Sequence, residues 1–122
     1  MRILAVDDDP SARELVADFL QARGHEVEMA ADGETALAMM ASQPPDLVLL
    51  DLMMPGMTGM QMLQRVPESC KHVPVIVVTA VAEEDVGKAA LRAGAIDYLT
   101  KPIDFPSLER AVAMAYRETG SR

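Results

Sequence analysis

Leu47-Val48-Leu49-Leu50 is continuously apolar and stops at one acid, Asp51. A strand without polar alternation is one covered on both faces, as in parallel sheets flanked by helices. Val75-Ile76-Val77-Val78 repeats the pattern and stops at Thr79. Upstream, the short apolar run Ile3 to Val6 ends at Asp7-Asp8-Asp9, and Pro10 suits the first turn of a helix. Ala12, Leu15, Val16, Phe19 and Leu20 then recur at helical spacing until Gly24. Val27 to Ala30 reads as a weaker strand. Asp32 can cap a second helix carrying Ala36, Leu37, Met40 and Ala41, which Pro44-Pro45 ends.

Past Asp51, a loop with Pro55, Gly56 and Gly59 leads into a third helix marked by Met62, Leu63 and Val66. Pro67 and Pro74 bracket a connection read as polar, with Cys70 in it as a bystander. Beyond Thr79, Glu83-Glu84-Asp85 is expected to cap a fourth helix marked by Val86, Ala89, Ala90 and Ala93, and Gly94 ends it. Tyr98 to Thr100 is a fifth strand closed by Lys101-Pro102. Leu108, Ala111, Val112 and Ala115 mark a fifth helix. Five strands alternating with five helices predict a single α/β domain with a doubly wound parallel sheet. Its core is expected over about residues 2–117, with 118–122 as a short tail and no output domain.

The chain has 122 residues, half of them hydrophobic, which suffices for one core. Aromatics are 3% and Trp is absent, so that core is aliphatic. A formal charge of −8 repels nucleic-acid phosphates and excludes DNA or RNA binding as the reading for this domain. A single cysteine allows no intramolecular disulfide and fits a reducing compartment. No apolar run reaches membrane-spanning length, and Met1-Arg2 followed by early acids does not resemble a signal peptide. The expectation is a soluble cytoplasmic domain with no membrane partner.

In a parallel sheet the carboxyl ends of the strands meet at one edge, where ligands bind. Asp7, Asp8, Asp51, Thr79 and Lys101 are the residues placed there. Three carboxylates within a few ångströms cannot all ionise cheaply, and a divalent cation relieves the repulsion. All-oxygen ligands favour Mg²⁺, Mn²⁺ or Ca²⁺ over zinc, and a shell this incomplete is typical of Mg²⁺ at phosphate groups. Asp51, at the end of a buried strand, is the candidate nucleophile toward a phosphoryl group. Asp7 and Asp8 are candidate metal ligands. Lys101 would balance phosphoryl charge, and the Thr79 hydroxyl could donate to a phosphoryl oxygen.

These residues, with their neighbours, resemble the receiver domain of bacterial response regulators, the CheY-like family. The resemblance rests on Val6-Asp7-Asp8-Asp9, Asp51-Leu52-Met53-Met54-Pro55-Gly56-Met57-Thr58-Gly59, Thr79-Ala80 and Asp97-Tyr98-Leu99-Thr100-Lys101-Pro102, in order along Arg2 to Tyr116. It implies a flavodoxin-like (βα)5 fold and a phosphorylation switch. Asp51 would accept phosphate from a histidine kinase or a histidine phosphotransfer protein. Asp7, Asp8 and Asp51 would hold Mg²⁺, with Mn²⁺ as a substitute, Asp8 as a direct ligand and the Met53 carbonyl as another. Thr79 would move to meet the phosphoryl group, and Tyr98 would turn inward. That movement remodels the face made by the fourth helix, fifth strand and fifth helix for a downstream protein target. The family implies a cis peptide before Pro102, a monomer or weak phosphorylation-dependent dimer, and a signalling role rather than an enzyme. Met53 and Val81 are apolar and cannot hold the water of dephosphorylation, so these two positions give no fast hydrolysis.

Blander readings exist for single residues. Acids favour helix starts, so Asp9 reads as a cap rather than a ligand. The blander reading of Tyr98 is a half-buried sheet residue, beside its role as the aromatic switch. Met53, Met54, Met57, Met60 and Met62 read as core and loop packing rather than a promiscuous surface. Gly87 costs its helix about 1 kcal/mol relative to Ala; a helix that must move and ordinary tolerance are equal explanations. His25 and His72 lack metal-type spacing. Three other function classes fit less well. A haloacid dehalogenase-type phosphohydrolase needs an acid where Met53 stands. A flavodoxin-like cofactor binder needs a phosphate-cradling loop where Asp7-Asp8-Asp9 stands. A pseudo-receiver scaffold usually lacks one of the acidic, Thr or Lys positions. The receiver part of a longer response regulator is the other alternative.

Overall fold

The computed structural model describes residues 1–80 and 84–119. Five strands and five helices alternate: β1 (Arg2–Val6), α1 (Pro10–Gln21), β2 (Glu26–Ala30), α2 (Gly33–Ser42), β3 (Leu47–Asp51), α3 (Gly59–Gln64), β4 (Val75–Ala80), α4 (Glu84–Arg92), β5 (Asp97–Lys101) and α5 (Phe105–Thr119). All neighbouring strands are parallel, in the order β2-β1-β3-β4-β5. The fold is the flavodoxin-like doubly wound sheet that the alternating pattern predicts. β3 is central and buried along its whole length, as its unbroken apolar run requires.

Successive residues of each strand face opposite sides of the sheet. Ile3, Leu47, Leu49 and Ile76 meet Val16 and Leu20 of α1 and Leu108 and Val112 of α5. Leu4, Val6, Val48, Leu50 and Val77 meet Ala36 and Met40 of α2, Met62 and Leu63 of α3 and Ala90 of α4. The chain winds one way from β1 and the other way from β3, so the crevice between those two strand ends is the topological switch point.

Local chemistry fixes the helix starts. The Asp9 side chain accepts from the Ser11 N–H with Pro10 at the first helical position, as its reading as a cap anticipates. Asp32 accepts from the Thr35 N–H, and Thr58 and Gln61 form a reciprocal capping box on α3. Gly24 and Gly94 take left-handed φ angles of +88° and +116° just past α1 and α4, where a side chain would be strained.

Three expectations are corrected. Val66 is buried but lies outside α3, which ends at Gln64; Pro67 disfavours helical backbone in the residue before it. The connection read as polar contains a 3₁₀ turn, Glu68–Cys70, that buries Cys70 to 1% exposure. The Cys70 thiol reaches the Met40 carbonyl at 3.5 Å and packs as a small apolar group beneath α2. α5 continues to Thr119, two residues into the stretch expected as tail. Val81, Glu83 of the expected α4 cap, and residues 120–122 lie outside the described residues. The methionines divide as core and loop residues do. Met54 and Met62 are buried, Met57 and Met60 pack at the margin of the core, and Met53 is exposed.

Leu50 is fully buried on the central strand. Leu50→Ala is expected to cost about 2–5 kcal/mol, from lost transfer energy plus the cavity left behind, read as a lower urea midpoint with unchanged slope.

Candidate functional site

Asp7 follows the last residue of β1, Asp51 ends β3 and Lys101 ends β5, so the sheet brings them to one edge. Lys101 bridges the two carboxylates. Its Nζ lies 3.0 Å from Asp51 Oδ2 and 3.3 Å from Asp7 Oδ2. The Lys101-Pro102 peptide is cis, as the family resemblance implies. By strand alternation Leu49, Asp51, Leu99 and Lys101 share the sheet face covered by α1 and α5.

The other oxygens are held by backbone. Asp51 Oδ1 accepts from the Met53 N–H at 3.0 Å, and Asp7 Oδ1 accepts from the Asp9 N–H at 2.9 Å. Asp8 is exposed beside them. Asp7, Asp8 and Asp51 each offer an oxygen within 4.8 Å of the others, a donor set of hard oxygens that suits Mg²⁺ or Mn²⁺.

Asp51 is only 4% exposed. Burial pushes its pKa above the usual carboxylate value. The Met53 N–H and Lys101 pull the other way, and Asp7 adds to the rise. Burial alone would lower the Lys101 pKa, but the hydrogen bond and charge of Asp51, with the charge of Asp7, outweigh it and raise it. The ammonium therefore stays charged as counter-ion to the acidic pair.

The remaining predicted site residues lie on β4, on β5 and in the loop after β3. Thr79 is fully buried on β4, one residue beyond the Val78 that pairs with Asp51. Tyr98 is half-buried on β5, paired with Val77, and packs against the α2–α3–α4 core. Met53 follows Asp51 in the loop, 55% exposed, with its side chain outside the core. Two contributors have roles that the sequence reading does not assign. Arg13 Nη1 donates to the Asp7 carbonyl at 2.8 Å and ties α1 to the acidic loop. An isolated arginine on a helix gives no signal of this. Gly59 has no room for a side chain, since a Cβ would come within 2.6 Å of the Asp51 carbonyl oxygen and the Leu52 Cα. The glycine lets α3 close directly onto the backbone that carries Asp51.

The model of the response regulator receiver domain matches residues 3–113. The chain belongs to the response regulator receiver family. It is 40% identical over 119 residues to the response regulator MprA of Mycobacterium leprae, covering 98% of this chain and 52% of MprA. It is 42% identical over 114 residues to an uncharacterized 14.6 kDa protein of Leptolyngbya boryana, covering 92% of this chain and 87% of that protein. Among solved structures, the chemotaxis protein CheY4 of Vibrio cholerae superposes with a TM-score of 0.81 at 34% identity, covering 93% of this chain and 97% of CheY4. The chain spans only 23% to 52% of the length of seven curated relatives that it matches. Receiver domains belong to two-component signalling, where they take phosphoryl groups from kinases and act on downstream targets, and they generally bind Mg²⁺ at an acidic pocket.

A carboxylate whose pKa is higher folded than unfolded costs stability wherever it is ionised in both states. That cost is present at neutral pH and disappears as pH falls below the unfolded value. Without divalent cation, Asp51→Asn is expected to raise Tm at pH 7 and to lose that advantage near pH 4, as thermal melts at the two pH values would read. Gly59→Ala is expected to lower Tm at both, by a clash with backbone that cannot move aside.

Proposed function

We propose that residues 1–122 form one receiver domain, with its core over about residues 2–117, that accepts a phosphoryl group on Asp51 from a histidine kinase or histidine phosphotransfer protein. The observation that carries this reading is the Asp7–Lys101–Asp51 bridge at the switch point, with Asp8 beside it. Asp51 is the nucleophile. A new O–P bond forms at its carboxylate as the P–N bond to the donor imidazole breaks and the electron pair leaves with that nitrogen. Burial raises the basicity of the carboxylate, while the Met53 N–H fixes its orientation. Lys101 shifts from pairing two carboxylates to pairing the incoming phosphoryl oxygens. Asp7, Asp8, Asp51 and the Met53 carbonyl are the proposed ligands of Mg²⁺, or of Mn²⁺ in its place. When bound, that ion would supply positive charge that neutralises the carboxylates and the phosphoryl group.

Thr79 and Tyr98 report the new charge to the surface. Both stand on the sheet face covered by α4, on adjacent strands. The proposed output is a change in the α4–β5–α5 face that a downstream protein reads, as a monomer or weak phosphorylation-dependent dimer in the cytoplasm. The net charge of −8 favours a protein target over nucleic acid, and the phosphoryl transfer is signalling rather than turnover of a substrate. Action without an output domain is supported by the Leptolyngbya relative, of which the chain covers 87%. The second reading, a receiver within a longer regulator, is supported by the seven relatives of which the chain covers 23% to 52%.

Intact mass after incubation with acetyl phosphate tests the proposal. One phosphoryl adduct is expected that needs Mg²⁺ and is absent in Asp51→Ala. An adduct retained in Asp51→Ala overturns it. The phosphorylated state is further expected to be long-lived, because the Met53 side chain offers no hydrogen bond to water. Met53→Asn should shorten its lifetime several-fold in a mass time course, and a wild-type lifetime of seconds, unchanged in Met53→Asn, contradicts this.

A further inference from the structure

Gly87 lies inside α4, where glycine is among the costliest residues a helix can hold. It is buried, and the Tyr98 ring occupies the place its side chain would take. A Cβ there would stand 2.8 Å from Tyr98 Cδ2, 3.0 Å from Cγ and 3.2 Å from Cε2. Real Cβ contacts essentially never come as close as 2.8 Å, and the other two are tighter than most. The atoms met are not the free end of a flexible chain, because Cγ is one bond from the Cβ that β5 holds fixed. An aromatic ring cannot bend, so it must turn about χ1 or push α4 away.

The position matters because of what Tyr98 adjoins. Tyr98 pairs with Val77, and Thr79 stands two residues further along β4 on the same sheet face. α4 packs on both β4 and β5, the strands that carry Thr79 and Tyr98, and Tyr98 belongs to the core on that side. Other close glycines differ in kind: Gly33 meets the flexible end of Met57, and Gly59 meets the Asp51–Leu52 backbone.

We propose that Gly87 is a positioning residue, a notch in α4 that seats the Tyr98 ring and so couples the ring's position to that of the helix. The inference rests on the reading of Tyr98 as the element that carries the Asp51 state to the surface, and it names what sets the resting position of that element. With the notch open, ring and helix move together. With the notch filled, the ring is expelled whether or not Asp51 carries a phosphoryl group.

The chain has two tyrosines, Tyr98 and Tyr116, so protein labelled with 3-fluorotyrosine gives two ¹⁹F resonances, assigned with Tyr116→Phe. In unphosphorylated Gly87→Ala the Tyr98 resonance is expected to shift or split while that of Tyr116 stays in place. Thermal melts add a sign test. Gly87→Ala should lower Tm in the wild-type background and raise it in a Tyr98→Ala background, where only helix propensity remains. An unchanged Tyr98 resonance, or a higher Tm in both backgrounds, overturns the notch and leaves an ordinary helix glycine. Should Tyr98→Ala not fold, the fluorine spectrum decides alone. Acetyl phosphate labelling of the same samples separates the two ideas. Failure of wild type to take a phosphoryl group refutes the phosphoacceptor reading, whereas a static Tyr98 resonance in protein that does take it refutes the notch.

Discussion

A parallel sheet that delivers acids to one edge creates an electrostatic problem. Asp7, Asp8 and Asp51 each present an oxygen within 4.8 Å of the others, and like charges that close cannot all ionise without cost. Lys101 answers part of the problem by bridging Asp7 and Asp51 from the end of β5. The rest of the site depends on this balance. With the ammonium in place Asp51 stays buried and oriented, and the neighbouring oxygens remain a ready set for a divalent cation. On the proposed reading, a phosphoryl group arriving at Asp51 would compete for the ammonium that holds the two strand ends together.

On the proposed reading, the fold turns that local imbalance into a signal by geometry. Asp51 and Lys101 lie on the α1–α5 side of the sheet, whereas Thr79 and Tyr98 lie on the α4 side. Charge is gathered on one face, and in the proposed switch it would be read on the other through β4 and β5, whose residues pair in continuous register from Ile76 to Ala80. Glycines set how closely the layers approach. Gly59 lets α3 rest on the backbone of Asp51, and Gly87 lets Tyr98 rest on α4.

Much of this was legible from residue order. Unbroken apolar runs ending at Asp51 and Thr79 imply buried parallel strands, and parallel strands oblige their last residues to meet. Asp7 and Asp51 follow from that rule, whereas Lys101 alone reads as a solvated charge and is raised only by Pro102 and the whole pattern. What the sequence concealed depended on contacts between distant segments. Cys70 lies among polar residues, yet the space beneath Met40 of α2 buries it. Arg13 resembles any solvated helix cation until α1 sets it against the Asp7 carbonyl. Gly87 is a helix defect until the Tyr98 ring is seen to fill its missing side chain. Val66 continued the α3 pattern, and the steric demand of Pro67 ended the helix before it.

Chemical localisation of the phosphoryl group tests the account most directly. Borohydride reduces an acyl phosphate on aspartate to homoserine, so phosphorylated protein can be trapped, digested and mapped by tandem mass spectrometry. The account predicts homoserine at position 51 and at no other acid. Homoserine at position 7, 8 or 9, or a phosphoryl group retained on His25 or His72 with none at 51, would contradict it.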